Sequence, residues 1–407
     1  TTTGSYNTAL GESALYENTT GSQNTALGEK ALYSNTTGQN NTASGARAME
    51  SNTTGGYNTA TGSYALNANT TGSDNTAFGN GAMQANTTGG SNAAVGSEAL
   101  YTNTSGIQNS AFGHKSLYAN LTGSNNVAIG QQALVSNTTG SGNVAVGKDA
   151  LTANTTGSHN VAVGSGALDA NTTGNYNYAL GRDALGSNTT GSVNIAIGNA
   201  MYNNTSGESN IAIGSNSLND NTTGNYNVAL GRQALGDNTT ADSNTAIGYN
   251  SLFYNTTGHS NTALGKDALK ANTTADYNVA IGALCLDANT TGGDNTAAGV
   301  AALGKNTTAS NNTAFGRAAL AENTTANYNT AVGGLALDAN TTANGNTAFG
   351  YQTLSSVQTN TGLTAVGYRA LLNSNGGNNN TAVGYNAGVT ITTGGQNVMM
   401  GVNTLLS

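Results

Sequence analysis

The sequence is poor in the residue types from which most functional sites are built. Its 407 residues include one Cys, three His, no Pro and no Trp, and 7% of them are charged. One Cys excludes an internal disulfide framework, and no apolar run approaches the length that spans a membrane. The net charge of −8 is spread thinly, which argues against a surface for nucleic acid.

Catalytic and metal-binding patterns are also missing. His114, His159 and His259 lie far apart, and Asp and Glu do not recur at a spacing that would make a repeated carboxylate pair. No glycine-rich loop is followed by the Lys-Ser/Thr pair of a phosphate site. We therefore expect no enzyme activity, no metal site and no cofactor.

The chain consists instead of a 17-residue repeat. Asn-Thr-Ala-Leu-Gly at residues 7–11 returns at residues 24–28 and continues at this spacing. If the first Asn is position 1, Gly occupies position 5 in all 24 copies, Ala occupies position 3 in 23, and Leu or Met occupies position 9 in 23. Most copies read Asn-Thr-Thr-Gly or Asn-Thr-Thr-Ala at positions 12–15. Such a fixed period indicates one structural unit stacked on itself.

Charged residues mark the solvent-facing parts of each repeat. All eleven Lys and Arg residues fall at positions 6, 7, 10 or 11, and all nineteen acids fall there or at positions 16 and 17. Since unpaired charges are seldom buried, we expect three exposed arcs at positions 6–7, 10–11 and 16–17. The copy that begins at Asn194 is one residue short, and the loss falls in the arc at positions 6–7.

The repeat predicts an all-β fold, a parallel β-solenoid or β-roll of about 24 coils. Seventeen residues are too few for a pair of helices, and Gly, Asn and Thr are poor helix formers. Residues at positions 2–4 predict a short strand, and a second extended piece is expected at positions 8–9. Coils about 4.8 Å apart would align identical side chains, including ladders of Asn at positions 1 and 12.

We predict one solenoid domain over residues 1–407. Residues 1–6 would complete a coil, residues 7–396 would form full repeats, and residues 397–407 would form a partial terminal repeat. The chain opens on Thr1 rather than Met, which suggests a processed product or a fragment. Because it starts and stops within a repeat and in register, its first residues would complete the last coil of another copy. The residues expected at this head-to-tail polymer joint are Thr1, Thr2, Thr3, Tyr6, Met399, Met400, Leu405 and Leu406.

The acceptor pattern for N-glycosylation, Asn-x-Ser/Thr, recurs at position 12. Two interpretations stay open: a row of glycans, or Asn selected for a turn and a ladder. Glycans on every coil would crowd at a spacing of about 4.8 Å, and the neighbouring Thr residues offer O-linked sites instead. The candidate glycosylation sites are Asn18, Asn35, Asn52, Asn69, Asn86, Asn103, Asn120, Asn137, Asn154, Asn171, Asn188, Asn204, Asn221, Asn238, Asn255, Asn272, Asn289, Asn306, Asn323 and Asn340.

Tyrosines recur at two positions of the repeat. Those at position 17 are Tyr6, Tyr57, Tyr176, Tyr226, Tyr277 and Tyr328. Those at position 10 are Tyr16, Tyr33, Tyr101, Tyr118 and Tyr202. These rows could stack on sugars, contact neighbouring filaments or shield the ends of strands. Cys285 occupies a position that is otherwise held by small residues, so we expect it to be a buried core residue.

The Asn-Thr-Ala-Leu-Gly units, and the Asn-Val-Ala-Ile-Gly units at 126–130 and 278–282, resemble the head repeats of YadA-like trimeric autotransporter adhesins. They are also similar to the Asn-Thr-Ala-Val-Gly repeats of related bacterial surface proteins and phage tail-fibre-like proteins. The resemblance covers the whole chain. It implies a left-handed parallel β-roll, often trimeric, that acts in adhesion on a cell or virion surface. The spacing of 17 residues is longer than that of the usual head repeat.

The leading functional expectation is an extracellular structural protein, a β-solenoid subunit that assembles head to tail into a filament and is a candidate glycoprotein. The alternative is a trimeric β-roll adhesin head or phage tail-fibre shaft fragment that binds cell-surface or carbohydrate ligands. A third alternative is an ice- or carbohydrate-binding solenoid, and Thr at position 2, which ice binding would need, gives way to Val127, Val144 and Ile195. The expected partners are other copies of the chain, in a homopolymer or a homotrimer, and glycans, with no nucleic acid.

Overall fold

The computed structural model describes residues 3–374 and 376–405. The chain divides into two compact units, Thr1–Ser206 and Gly207–Ser407. Neither unit contains a helix among the described residues, and every described strand is three residues long. The assignment of residues 1–407 to one domain stays a prediction.

The first unit is a parallel β-solenoid. Each strand pairs in parallel with the strand one repeat later, so that Thr8 faces Thr25 and Ala9 faces Ala26. The described residues of this unit form twelve strands: β1 (Thr8–Leu10), β2 (Thr25–Leu27), β3 (Thr42–Ser44), β4 (Thr59–Thr61), β5 (Thr76–Phe78), β6 (Ala93–Val95), β7 (Ser110–Phe112), β8 (Val127–Ile129), β9 (Val144–Val146), β10 (Val161–Val163), β11 (Tyr178–Leu180) and β12 (Ile195–Ile197).

The second unit has the same architecture. Its strands pair in parallel with a shift of one repeat, as Thr262 pairs with Val279. The prediction of an all-β parallel solenoid with a 17-residue repeat is therefore confirmed in both units. The described residues of the second unit form twelve strands: β13 (Ile211–Ile213), β14 (Val228–Leu230), β15 (Thr245–Ile247), β16 (Thr262–Leu264), β17 (Val279–Ile281), β18 (Thr296–Ala298), β19 (Thr313–Phe315), β20 (Thr330–Val332), β21 (Thr347–Phe349), β22 (Thr364–Val366), β23 (Thr381–Val383) and β24 (Val398–Met400).

Left-handed residues and one glycine turn the chain within each coil. Positions 7, 9 and 17 of one coil are Lys30, Leu32 and Asn40, with φ values of 54°, 51° and 56°. Gly28 at position 5 has a φ of 133°, and a Cβ there would lie 2.5 Å from the carbonyl oxygen of Gly45 in the next coil. The expectation of a second extended piece at positions 8–9 is wrong, because position 9 is left-handed and lies within a turn.

The Leu or Met at position 9 supplies the large apolar side chain of each regular interior. Leu32, Leu66 and Leu100 are fully buried beside the equally buried Ala residues of positions 3 and 8. The left-handed backbone costs roughly 1–2 kcal/mol, whereas burial of a Leu side chain stabilises by roughly 1.5–3 kcal/mol. At position 9 the two terms are similar in size, and positions 7 and 17 are left-handed as well, so the coil also depends on hydrogen bonds to its neighbours.

The side chains of each strand alternate between the interior and solvent, as the pleat requires. In β5, Ala77 is buried while Thr76 and Phe78 are exposed. The interior behind the strand is thin, since Cys285 Sγ at position 8 lies 3.3 Å from the carbonyl oxygen of Ala297 at position 3 of the next coil. The recurrent Ala at position 3 is therefore explained by the close approach of the opposite wall.

The short copy accommodates its missing residue in a turn. Gly198 has a φ of 96°, whereas Gly181, one coil earlier, has a φ of 141°. Ala200 and Met201 nevertheless remain fully buried, and the Leu185 N–H still donates to the Ala200 carbonyl at 3.1 Å. The interior is retained while the exposed arc is shortened, as the sequence predicts.

Candidate functional surfaces of the coil

The candidate glycosylation residues at position 12 form a ladder inside the coils. Asn35 Nδ2 donates to Asn18 Oδ1 of the preceding coil at 2.9 Å and to the carbonyl oxygen of Gly38 at 3.1 Å. Asn52 Nδ2 donates in turn to Asn35 Oδ1 at 2.8 Å. All twenty asparagines have relative exposures of 7% or less. The Asn ladder that the sequence predicts is therefore present.

Burial limits when these asparagines could be modified. The amide nitrogen of Asn35 would carry the glycan, yet it donates two hydrogen bonds in the interior. A sugar could be attached only while this amide is outside the coil, and each buried group left without a partner would cost roughly 1–3 kcal/mol. N-glycosylation of the twenty residues stays a prediction, and it is compatible only with a chain that has not yet folded.

A second ladder runs through the asparagines at position 1. Asn41 Nδ2 donates to the carbonyl oxygen of Gly55 at 2.9 Å, and the Asn41 N–H donates to Asn24 Oδ1 of the preceding coil at 3.0 Å. The Gly38 carbonyl accepts from both Asn35 and Asn24. The two ladders thus meet at the carbonyl of position 15 and fix the turn at positions 12–15.

The two threonines that follow each position-12 Asn have different environments. At position 13, Thr36 Oγ1 donates to the Thr53 carbonyl of the next coil at 3.0 Å. At position 14, Thr37 and Thr54 are exposed, and their hydroxyls have no hydrogen-bond partner within the described part of the chain. Position 13 therefore belongs to the backbone network, while position 14 presents free hydroxyls to solvent.

Backbone hydrogen bonds give every coil two different edges. The N–H at position 2 donates to the position-1 carbonyl of the next coil, as Thr8 does to Asn24 at 2.9 Å. The N–H at position 5 donates to the position-4 carbonyl of the preceding coil, as Gly28 does to Leu10 at 2.8 Å. Each edge therefore carries a fixed alternation of donors and acceptors that only the opposite edge can match.

Two of the predicted joint residues at the start of the chain are described, and Thr3 is bonded to the first coil. The Thr3 N–H donates to the Thr19 carbonyl at 2.8 Å, and Tyr6 is exposed. Thr3 thus occupies the place that the repeat assigns to it, one coil before Thr20. Three of the predicted joint residues lie outside the described residues: Thr1, Thr2 and Leu406.

The joint residues of the last coil divide between its surface and its interior. Met400 and Leu405 are exposed, whereas Met399 is buried. Met399 stands where the other copies have Ala, and its Sδ lies 2.7 Å from the point that a Cβ on Gly388 would occupy. Gly388 itself replaces the Leu or Met of position 9. Met399 therefore fills interior volume that Gly388 leaves empty.

Charged residues on the exposed arcs form ion pairs at the surface. Lys305 Nζ lies 2.6 Å from Glu322 Oε2 of the next coil, and Lys115 Nζ lies 3.5 Å from Glu98 Oε2 of the preceding coil. All four side chains remain more than one-third exposed, and such pairs each contribute at most about 1 kcal/mol. These two ion pairs therefore contribute little to the stability of the coil.

The tyrosines at position 10 cover one another, whereas several at position 17 keep open faces. The ring centroids of Tyr16 and Tyr33 are 5.4 Å apart, and the planes differ by 6°. Each ring of such a stack covers one face of its neighbour. Tyr57 and Tyr328 at position 17 are 66% and 69% exposed, and no ring stacks on either within the described part of the chain. Position 17 is therefore the better candidate for binding a flat ligand.

A few ionisable side chains lie partly or wholly inside the coils. Burial raises the pKa of the Cys285 thiol to about 12, so Cys285 is a protonated core residue, as the sequence predicts. Burial also raises the pKa of Asp169 and Asp287, and burial together with the charge of Asp220 raises the pKa of Asp237. These carboxyls occupy the arc at positions 10–11 of their repeats.

The sequence analysis missed a row of hydrogen-bond acceptors at position 16. Ser22 Oγ accepts from the Ser5 N–H at 3.0 Å. His259 Nδ1 accepts from the Asp242 N–H at 2.9 Å, and Asp276 Oδ1 accepts from the His259 N–H at 2.6 Å. The signal was present in the sequence, because Ser, Asn and Asp predominate at this position. Their side chains cap a backbone N–H of the preceding coil.

The described residues give no sign of a metal centre or of a membrane-spanning helix. Residues 3–374 and 376–405 include no group of three or more His, Cys, Asp or Glu that could hold a metal ion. No helix in this part of the chain is long and apolar enough to cross a membrane. The sequence matches no model of a known protein family and no curated protein sequence.

Proposed function

We propose that the chain is an extracellular structural protein whose β-solenoid subunits join head to tail into a filament. The observation that supports this best is that the two edges of a coil carry complementary donors and acceptors. The first coil offers the Asn7 carbonyl and the Gly11 N–H, and the last coil offers the Val398 N–H and the Met400 carbonyl. None of these four groups has a hydrogen-bond partner among the described residues.

The bonds of the proposed joint would repeat those between neighbouring coils. Position 2 donates to position 1 of the next coil, so Val398 would donate to Asn7 of a second copy. Position 5 donates to position 4 of the preceding coil, so Gly11 of that copy would donate to Met400. The N–H at position 9 donates to the position-8 carbonyl of the next coil, as Leu15 does to Ala31 at 2.9 Å, so Leu405 would donate to the carbonyl of Ala14. A heterologous contact of this kind does not close on itself and therefore extends into a filament.

The free energy expected for the proposed joint is small, so assembly should depend on protein concentration. Each backbone hydrogen bond contributes a net 0.5–1.5 kcal/mol or so, whereas association costs roughly 4–15 kcal/mol in lost freedom of motion. Backbone bonds alone would barely hold two subunits together. Burial of exposed Leu405 against the second copy would supply roughly 1.5–3 kcal/mol more. We therefore expect joining at high protein concentration and separation on dilution.

The extracellular location and the sugars belong to the same proposal. Location is supported by the resemblance of the repeat units to those of bacterial surface proteins. Modification is supported at position 14, where Thr37 and Thr54 present free hydroxyls. The proposal assigns the protein no catalytic activity. Intact-mass measurement of the protein from its native source, followed by peptide mapping, would locate any sugar, and a mass equal to that of the bare chain would refute the glycan part.

Electron microscopy and sedimentation velocity at rising concentration test the filament itself. End-joined particles should lengthen with concentration, and Val398→Pro should shorten them, because it removes the outward N–H of β24. The matched control is Val279→Pro inside the stack, where the N–H donates to Asn295 at 2.8 Å, so that the fold rather than the joint should weaken. Single separate particles at every concentration would refute the proposal, as would undiminished filaments from folded Val398→Pro.

An exposed apolar row favours a second candidate function, a trimeric β-roll adhesin head or tail-fibre shaft. Phe112 and Ile129 at position 4 are 41% and 42% exposed, and no copy of the repeat carries a charge at positions 1–5. An uncharged sheet face with exposed apolar side chains is a candidate surface for lateral association. In this proposal three chains would pack side by side through these faces.

Native mass determination distinguishes lateral association from end joining. The double variant Phe112→Lys/Ile129→Lys should convert a trimer to monomers, because lysines would be buried at the lateral interface. Thr139→Lys, on the exposed position 14, is the control and should leave the trimer intact. A parent protein that is monomeric at all concentrations would rule out this second candidate.

A further inference from the structure

Four glycines interrupt the acceptor row at position 16, and a surface cavity lies at one of them. These glycines are Gly56, Gly90, Gly293 and Gly395, and only Gly56 is followed by Tyr. The cavity at Gly56 has a volume of about 250 Å³, and we call it the Gly56 notch. We propose that the Gly56 notch binds one neutral sugar ring. Its lining residues are Thr37, Gln39, Thr54, Gly56, Tyr57 and Ser73.

The Gly56 notch exists because a side chain is missing. In most coils the residue at position 16 fills this space and caps the backbone N–H of the coil before it. Ser73 does so for Gly56, whose N–H donates to Ser73 Oγ at 3.1 Å. Gly56 cannot do the same for Gln39, so the Gln39 N–H has no acceptor among the described residues. The notch therefore combines open volume with an unsatisfied donor.

Further polar groups without partners surround this donor. The hydroxyls of Thr37 and Thr54 and the side-chain amide of Gln39 make no hydrogen bond within the described part of the chain. The Ser73 hydroxyl accepts one hydrogen bond and keeps its own proton available. These groups are neutral and offer both donors and acceptors, which is what a ring bearing several hydroxyls requires.

Tyr57 supplies the aromatic wall of the notch. Tyr57 is 66% exposed and no other ring stacks on it within the described part of the chain. Its left-handed backbone, with a φ of 60°, continues the turn. An exposed aromatic face can cover the apolar C–H face of a sugar while the hydroxyls at the rim of the sugar are hydrogen-bonded. Polar groups that converge beside an apolar wall are typical of a site for a small ligand.

Size and charge narrow the choice of ligand. Sites for drug-sized ligands are usually about 300–1,000 Å³, so the notch has room for one ring rather than an extended molecule. No charged residue lines it, which disfavours ammonium compounds, and Asp74 in the next coil disfavours anions. A neutral monosaccharide unit is left, bound weakly because the cavity is shallow. This inference does not rest on the proposed filament and can be tested whether or not the chain assembles.

Titration with methyl glycosides, followed by NMR, tests the site directly. The probes are the methyl glycosides of glucose, galactose, mannose and N-acetylglucosamine, with tetramethylammonium chloride and inorganic phosphate as charged comparisons. We expect at least one glycoside to bind with millimolar affinity and neither charged probe to bind at the same site. Failure of all four glycosides to bind would overturn the proposal, and so would tighter binding of a charged probe at the notch.

Gly56→Ser is the decisive variant. Ser is common at position 16, so this change fills the notch, caps the Gln39 N–H and should leave the coil as stable as before or more so. Glycoside binding should fall at least tenfold. The matched control Gly90→Ser makes the same change where Ser91 follows the glycine, and binding should be unchanged. Full binding by Gly56→Ser, or an equal loss in both variants, would overturn the assignment.

Tyr57→Ala tests the aromatic wall separately. Loss of stacking should weaken glycoside binding roughly three- to tenfold, the equivalent of about 0.7–1.4 kcal/mol. Tyr328→Ala is the control, since Tyr328 occupies the same position with similar exposure but follows Asn327 rather than a glycine. Binding that responds equally to the two variants would assign the sugar to the tyrosine row in general and overturn the notch.

Discussion

The second unit contains two regions whose coils differ in the residues that fill the interior at positions 1 and 12. In the ladder coils, residues 210–345, every coil places Asn at positions 1 and 12. In the terminal coils, residues 346–405, position 12 is held by Val357, Ser374 and Ile391. In the copy of the repeat that follows Val357, Leu363 replaces the Asn of position 1. Both Leu363 and Val357 are fully buried. The terminal coils thus exchange part of a polar interior for an apolar one.

The boundary between the two regions shows what a ladder demands. Asn340 Oδ1 would accept from an Asn at 357, but Val357 has no donor. The only buried side-chain N or O atoms that lack a partner in the described part of the chain are Asn340 Oδ1, Asn360 Oδ1 and Ser374 Oγ. All three lie at or beyond this boundary. Each Asn of the ladder therefore needs an Asn at the same position of the next coil. Where the ladder ends, a buried acceptor is left without a donor, and the fold loses stability there.

The largest effect that separates the two regions is expected from Gly→Ala at position 5. At Gly265, with a φ of 138°, a Cβ would lie 2.6 Å from the backbone of Gly282. At Gly401, with a φ of 124°, the nearest atom would be the Thr404 side chain at 3.4 Å. Gly265→Ala should cost at least about 3 kcal/mol from strain and steric clash together, and Gly401→Ala only the strain of about 1–3 kcal/mol. Urea denaturation measures both, and equal costs would contradict the close approach of coils.

Breaking the Asn ladder should have the next largest effect. Asn272 Nδ2 donates to Asn255 Oδ1 at 2.9 Å and to the Ala275 carbonyl at 3.0 Å. Asn272→Val leaves Asn255 Oδ1 without a donor and should destabilise by roughly 1–3 kcal/mol. In the terminal coils Ser374→Val should have the opposite sign, because it removes a hydroxyl that has no partner. Hydrogen exchange of the neighbouring coils reports each change locally, and destabilisation by both variants would contradict the comparison.

The sequence predicts the stack better than it predicts the path of one coil. The period, Gly28 at position 5 and the β-propensity of positions 2–4 were enough for the strand and its parallel register. The left-handed Leu32 was missed because Leu avoids this conformation locally, and only burial in the assembled stack outweighs that preference. A local propensity cannot reveal a stabilisation that arises when coils meet.

The candidate sites were harder to assign for a different reason. Asn35 belongs to an Asn-x-Ser/Thr tripeptide, which is the acceptor pattern for N-glycosylation. In the structure the same residue is a buried member of the Asn ladder. Only its burial and its two donated hydrogen bonds distinguish the two roles. The Gly56 notch was invisible because it depends on a missing side chain in one coil and on groups from three consecutive coils. A site that is built from several coils can be predicted only when the alignment of residues between neighbouring coils is known.

Substitution of the threonines at positions 13 and 14 of the ladder coils should have a smaller effect on the free energy of unfolding. Thr256 Oγ1 donates to the Thr273 carbonyl at 3.0 Å, whereas the adjacent Thr257 is exposed. Thr256→Val should cost about 1 kcal/mol through the lost hydrogen bond, and Thr257→Val should stay within about 0.5 kcal/mol of the parent. The free energy of unfolding from urea titration distinguishes the two. Equal values would mean that position 13 contributes only its β-propensity.

The smallest effect concerns pH, and it should be confined to the ladder coils because residues 346–405 contain no Asp or Glu. Burial and the neighbouring charge of Asp220 raise the pKa of Asp237 above its usual value of 3.8. The fold therefore favours the protonated carboxyl: its contribution to stability is complete below pH 3.8 and is lost as pH rises through the higher pKa of the folded state. Asp237→Asn should raise the thermal midpoint slightly at about pH 7, where the parent is charged, and the gain should vanish at about pH 3. A gain that persisted at the lower pH would assign the effect to packing rather than to charge.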